Sequence, residues 1–261
     1  MTEGPWSGMI MAVTTPLLTP WWRNRREAET REANGGIEPT AILNWRSPEV
    51  RALTGELGSA EQGRGLLQRA HSVIAATVRP VYAVDDAQPV SRTLARGRGS
   101  CSQRLAVLEA VARSSGIATR SRGLLVDGHF WYPRFRRLRF AVPDAVLLAW
   151  PEFRLGEEWV SASKLFEAPR SGERTAEFTN ADGETLFDAL ARGAVDWDGV
   201  TSTPAMCSTC DLSATVLRDL GRFDSRDELF TRYGQTLCWP ARTLAEPFLS
   251  RWAAGSTAPA A

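Results

Sequence analysis

The chain of 261 residues is poor in the groups that most often carry chemistry. It has 2 histidines, His71 and His129, and 4 cysteines, Cys101, Cys207, Cys210 and Cys238. Two imidazoles exclude a histidine-rich metal centre and any mechanism that needs several catalytic histidines. Lysine is almost missing, since Lys164 stands alone among 31 basic residues. That skew is expected of a high-GC, actinomycete-like genome and is a codon effect before a functional one. No uncharged apolar run approaches the ~18 residues that cross a bilayer, so no membrane segment is expected. The net charge of +1 argues against general nucleic-acid binding. Glu3 and the interrupting Pro5, Pro16 and Pro20 argue against a secretory signal. So few cysteines suit a reducing cytoplasm, where they stay as thiols.

What is present is a chain that can bury a core: 43% of its residues are hydrophobic. That suits one large or two small soluble domains. Residues 1–40 read as a flexible or loosely docked segment, with Trp21-Trp22 docking on the domain or on a partner. Helices are expected at 48–57, begun by Ser47-Pro48, and at 60–78, where Leu66, Leu67, Ala70, Ile74 and Val78 recur at helical spacing. Pro80 ends the second, and 81–96 reads as a loop or short turns. Ser100 with Gln103 forms a capping box for a helix over 101–114, which Gly116 stops. The period then changes to that of strands, at 118–126, 146–155 and 158–162, the last two joined at Gly156-Glu157. Helices are expected again at 184–192, at 211–220 after Asp211 as N-cap, and at 225–233 after a Ser225/Glu228 capping box. Residues 251–261 read as a disordered tail.

Cys101 is the residue that carries chemistry. It falls in the first turn of its helix, directly after Gly97-Arg98-Gly99-Ser100. The free N–H groups and the positive end of the helix dipole favour a thiolate there. The alternative is a packing thiol turned to the core. The segment from this Gly-x-Cys through Ser115-Gly116-Ile117-Ala118-Thr119-Arg120 resembles the transglutaminase-like core of the papain-type superfamily. So do Leu148-Ala149-Trp150-Pro151-Glu152-Phe153 and the following Gly156-x-x-Trp159-Val160. The resemblance spans about residues 60–165. It implies an α+β, transglutaminase/papain-like fold over 41–168, with the Cys101 helix on an antiparallel sheet, and a helical C-terminal extension over 169–250. Members of the family are peptidases, amide-forming or amide-exchanging acyltransferases, and inactive relatives.

The same resemblance exposes two departures. Leu148 stands where the family has its catalytic histidine, and Ser163 where it has the orienting aspartate. Leucine cannot take a proton, so the standard relay is broken at 148. His129, at the end of the preceding strand, is the candidate relocated base, with Asp127 or Asp144 to orient it. Alternatively the thiolate needs no base, because transthioesterification has a good leaving group. Trp150 and Glu152 share a strand face with Leu148 and are candidate substrate contacts; a structural carboxylate is the other reading of Glu152. In the run from His129 to Phe140, Trp131, Arg134 and Arg136 are candidates to hold an acidic carrier protein or an anionic substrate. An insertion packed by its aromatics is the alternative there. Cys207-x-x-Cys210 with Cys238 lacks a fourth zinc ligand, so packing thiols are expected. His71 reads as structural.

The expected activity is therefore that of an atypical cysteine acyltransferase or amide-forming enzyme, in a biosynthetic pathway. It would act through a Cys101 thioester on a small-molecule, peptide or carrier-bound acyl substrate, with no metal or organic cofactor and no nucleic-acid or membrane partner. A cysteine peptidase or amidase, and an inactive binding or scaffold protein, are the alternatives.

Overall fold

The structure, a computed structural model, describes residues 19–20, 33–58, 61–135, 139–166, 178–180, 183–199 and 211–254. Trp21-Trp22, Arg136, Cys207, Cys210 and the tail from 255 lie outside these residues.

Helix α1 spans Pro48–Leu57, and the Ser47 side chain accepts a hydrogen bond from the Val50 amide. Helix α2 spans Gly63–Thr77 and buries Leu66, Leu67, Ala70, His71 and Ile74, the face its spacing predicts. Two short strands, β1 (Arg79–Pro80) and β2 (Arg98–Gly99), pair in parallel. Between them lies helix α3, Val90–Arg96, where the sequence suggests only a loop. A helix of two turns buries just Val90 and Thr93, too few to show a period. It is fixed from outside, by the Val90 amide on the Ile42 carbonyl at 2.9 Å.

Helix α4, Cys101–Ser114, is the central element. Every residue from Gln103 to Arg113 is buried, so the helix is wrapped on all sides rather than laid on a surface. The three preceding helices cover one side and the sheet covers the other. Its full capping box is formed, with the Ser100 side chain accepting from Gln103 N and the Gln103 side chain accepting from Ser100 N.

The main sheet is antiparallel, in the order β5-β4-β3-β6. Strands β3 (Thr119–Asp127), β4 (Ala145–Leu155) and β5 (Glu158–Ser161) stand where the alternation places them. Strand β6, Val216–Phe223, falls where a helix was expected over 211–220. The deciding factor is the free edge of β3, which β6 completes from Ser121↔Phe223 to Val126↔Val216. Leu217 is 56% exposed, so the apolar residues here do not form one buried helical face. Asp211 caps no α-helix, and its carboxylate instead accepts the Ser213 amide at 2.8 Å. The C-terminal segment is thus not purely helical. It supplies an edge strand along with helices α5 (Leu186–Leu190), α6 (Arg226–Tyr233) and α7 (Trp239–Leu249). Ser225 caps α6, while the Glu228 carboxylate reaches back to Asp224 N rather than closing the box on Ser225.

The end of the N-terminal segment is docked. Gly36 bridges Thr119 through two backbone hydrogen bonds of 3.0 Å, and Arg113 donates to the Glu38 carbonyl at 2.8 Å. Among the described residues no helix is long and apolar enough to cross a membrane.

Candidate active site

The pairing of β1 with β2 delivers Cys101 to its place. Val81 N donates to Gly99 O at 3.1 Å, which holds the segment after β1 beside the start of α4. A side chain at position 99 would put its Cβ 2.8 Å from the Thr93 methyl, so glycine is needed for this close approach. The capping box occupies the amides of Ser100 and Gln103. Those of Cys101 and Ser102 remain at the helix start, where amides have no partner within the helix.

Cys101 is half-buried and opens into a cavity of about 260 Å³. The walls are mostly apolar, and include Val81, Val84, Phe135, Val142 and Leu237. Leu148, at the position the resemblance gives to histidine, lines the same cavity. Ser163, at the aspartate position, keeps a buried hydroxyl with no hydrogen-bond partner among the described residues. The two losses fit one another: without an imidazole at 148 there is nothing for a carboxylate at 163 to orient.

His129 lies elsewhere. Strand β3 pairs Leu124 with Leu148 and Asp127 with Ala145, so His129 follows the strand beyond its paired end. The three residues from Ala145 to Leu148 span roughly 10 Å of strand. The His129 side chain is 68% exposed and does not line the cavity. Its Nδ1 donates to the Asp127 carboxylate at 2.6 Å, in the tight turn that also brings His129 N to the same oxygen. Burial raises the Asp127 carboxyl, but these hydrogen bonds outweigh it and hold the group below its ordinary range. Asp127 therefore does orient His129, although away from Cys101's cavity, while Asp144 contributes its carbonyl to Gly128 N at 2.8 Å.

Trp150 and Glu152 do not line the cavity either. Trp150 is fully buried, donates to Ser161 Oγ at 2.9 Å and meets Trp197 edge-on. The Glu152 carboxylate is buried between Arg120 at 2.5 Å and Arg222 at 3.1 Å, which is the structural arrangement. Trp131 and Arg134 do line it. Arg134 is held by the Asn180 side chain and the Glu184 carbonyl, both neutral acceptors. Among the described residues it is the only cation of the lining.

One lining residue was not anticipated from the sequence. Asp86 is buried, its amide donates to the Gln235 side chain at 2.7 Å, and its carboxyl is hydrogen-bonded by Ser102, the residue after Cys101. Burial pushes this carboxyl up to about 6, against the pull of Ser102 and of Arg226, with Asp85 and Glu246 pushing the same way as burial. Asp86 makes no ion pair among the described residues. Its only sequence signal is an acidic pair, Asp85-Asp86, in an apolar stretch without a period. Behind it Arg226 ties the site to the core. It pairs with Glu109 at 2.7 Å, both side chains having no exposure, and donates to the Ser102 carbonyl and hydroxyl at 3.1 and 3.2 Å.

Residues 51–163 match the family model of the transglutaminase-like superfamily. The chain carries a transglutaminase-like domain. The match runs from α1 to the turn after β5, and so includes Cys101, Leu148 and Ser163. No curated protein and no solved structure matches the chain. The transglutaminase-like α+β fold expected from the sequence is thus established, with β6 and α5–α7 added beyond the matched region. Other sequence candidates stay outside the site. Cys238 stands at the N-cap of α7, and no metal-binding cluster occurs among the described residues. His71 is buried, bonded through Nε2 to Phe187 O at 2.7 Å and stacked on the Phe187 ring at 4.2 Å, as a structural histidine is.

Proposed function

We propose that the protein is an atypical cysteine acyltransferase, forming amides or exchanging acyl groups through a thioester on Cys101. The observation that carries this reading is the placing of Cys101 at the α4 N-terminus, open to a largely apolar cavity. In the first half-reaction the Cys101 sulfur attacks the carbonyl of an acyl thioester. The new carbon–sulfur bond forms, the donor's carbon–sulfur bond breaks, and the thiol proton leaves with the departing thiol. In the second, an amine attacks the Cys101 thioester; the carbon–nitrogen bond forms, the bond to the Cys101 sulfur breaks, and the proton lost by the amine restores the Cys101 thiol. The Cys101 amide is the donor for the oxyanion in both halves. A thioester suits this site because its leaving group is a good one and needs little help from an acid. The apolar walls suit the acyl chain, and Arg134 suits a carboxylate or phosphate at its far end. A carrier-protein or small-molecule thioester, in a cytoplasmic biosynthetic setting, is the source this reading assigns.

The test is incubation with a short acyl thioester of N-acetylcysteamine, followed by intact-protein mass and peptide mapping. A single acyl adduct on Cys101, lost in Cys101→Ala and released by hydroxylamine, is the expected result. If Cys101 is acylated no faster than Cys238, the acyltransferase reading fails and a binding role takes its place.

A further inference from the structure

We propose that Asp86 is the proton acceptor for Cys101, a carboxylate serving where the family's strand supplies a histidine. The proposal rests on the reading of Cys101 as nucleophile and adds the group that activates it.

Three observations meet at this residue. Asp86 and Cys101 line one cavity, and Asp86 is anchored to Ser102, the next residue along the helix. It is also the only carboxylate of that lining among the described residues. The position that should hold the base carries Leu148, and the one remaining imidazole candidate, His129, is directed to Asp127. Finally, Asp86 is buried without an ion pair. The charged groups that act on it are Arg226, Asp85 and Glu246, and the titratable or charged residues that share its cavity lining are Tyr82, Cys101 and Arg134. Arg226 is already committed to Glu109, and Glu246 to the amides of Val84 and Asp85 at 2.8 and 3.1 Å. A buried carboxylate left unpaired in this way is costly as a structural feature, and useful as a base. Burial brings it to about 6, close to the operating range in which a base is both free to accept and able to return a proton.

The step balances without any further group. The Cys101 thiol proton passes to the Asp86 carboxylate as the sulfur–carbon bond forms. The tetrahedral intermediate then collapses, the donor thiolate departs, and it takes that proton from the Asp86 carboxyl. Asp86 is ionised again at the end. The site thus works by proton exchange during the reaction and needs no preformed ion pair.

The experiment is the pH dependence of Cys101 alkylation by iodoacetamide, read on the Cys101 peptide in the full chain, between pH 5 and 9. The wild-type rate is expected to rise through a step near pH 6, run nearly level, and rise again as the thiol itself ionises. In Asp86→Asn the step disappears and the rate below pH 7 falls at least about tenfold. In Ser102→Ala the step moves to higher pH, because the hydrogen bond that lowers the carboxyl is gone. Asp86→Asn retaining the step, or slowing equally at every pH, overturns the assignment. So does a step that stays in place in Ser102→Ala, a measurement that holds even if Asp86→Asn does not fold. Acylation by the N-acetylcysteamine thioester separates the two ideas. If the wild type forms the Cys101 adduct and the step is independent of Asp86, only the base is wrong. If no adduct forms, the nucleophile reading fails first.

Discussion

Asp86 is held where water cannot solvate its charge, and its carboxyl is raised to about 6 from an ordinary 3.8. Between those two values the folded protein binds a proton that the unfolded chain has released. Stability is therefore full below the lower value and falls as pH rises through the upper one, by about 3 kcal/mol for a shift of this size. Asparagine cannot ionise and so escapes this loss. Denaturant unfolding of the wild type and Asp86→Asn should show the variant gaining on the wild type by about 2.5 kcal/mol between pH 4 and pH 7. A constant difference across that range would mean that Asp86 is not the group under strain. His71 works in the opposite sense. Burial lowers its pKa, helped by Arg104 and resisted by the Phe187 hydrogen bond and Asp188, so its contribution is lost as pH falls below the usual histidine range. Cys101 was legible from the residues around it, through the glycines, the cap and the helix period. Asp86 was not, because its character comes from burial and from partners at 102, 226 and 235 in other elements.

The connection between β3 and β4 positions Trp131 and Arg134 on the cavity. It does so through Gly128, which packs directly on the Pro143 carbonyl. A Cβ at 128 would lie 1.8 Å from that oxygen, so any side chain must push the two ends of the connection apart. Gly128→Ala is expected to cost about 1–3 kcal/mol in denaturant unfolding. It should also weaken binding of an anionic thioester more than it slows Cys101 alkylation, since Arg134 is displaced and Cys101 is not. A variant with wild-type stability would show that the backbone yields freely here. At this scale the sequence located long periodic elements well, namely α1, α2, α4 and β3 to β5. It missed α3, whose two buried residues show no period, and misread β6, whose conformation is set by the edge it completes.

The whole molecule extends the matched domain with parts that the domain cannot leave exposed. Residues 51–163 contain Glu109, but its partner Arg226 lies far along the chain, at the start of α6. They contain β3, but the strand on its second side is β6. A chain ending at residue 166 would keep Cys101, Leu148 and Ser163, yet bury an unpaired Glu109 carboxylate and open an edge of the sheet. Removing one partner of a buried pair alone costs about 3–5 kcal/mol. The shortened chain is expected to lose cooperative thermal unfolding and to aggregate, as circular dichroism and gel filtration would show; a sharp melt close to that of the full chain would refute this. The superfamily was legible because its nucleophile, strand and turn motifs follow one another within a single stretch of sequence. By itself the sequence determined Cys101's place at a helix start, through local spacing, and its resemblance to the superfamily carried the fold class and the departures at Leu148 and Ser163. Tertiary structure decided which groups share Cys101's cavity. It turned His129 toward Asp127, closed Glu152 between two arginines, and set Asp86 beside Ser102, because burial and long-range contacts, not neighbours in the chain, determine what a titratable side chain can do.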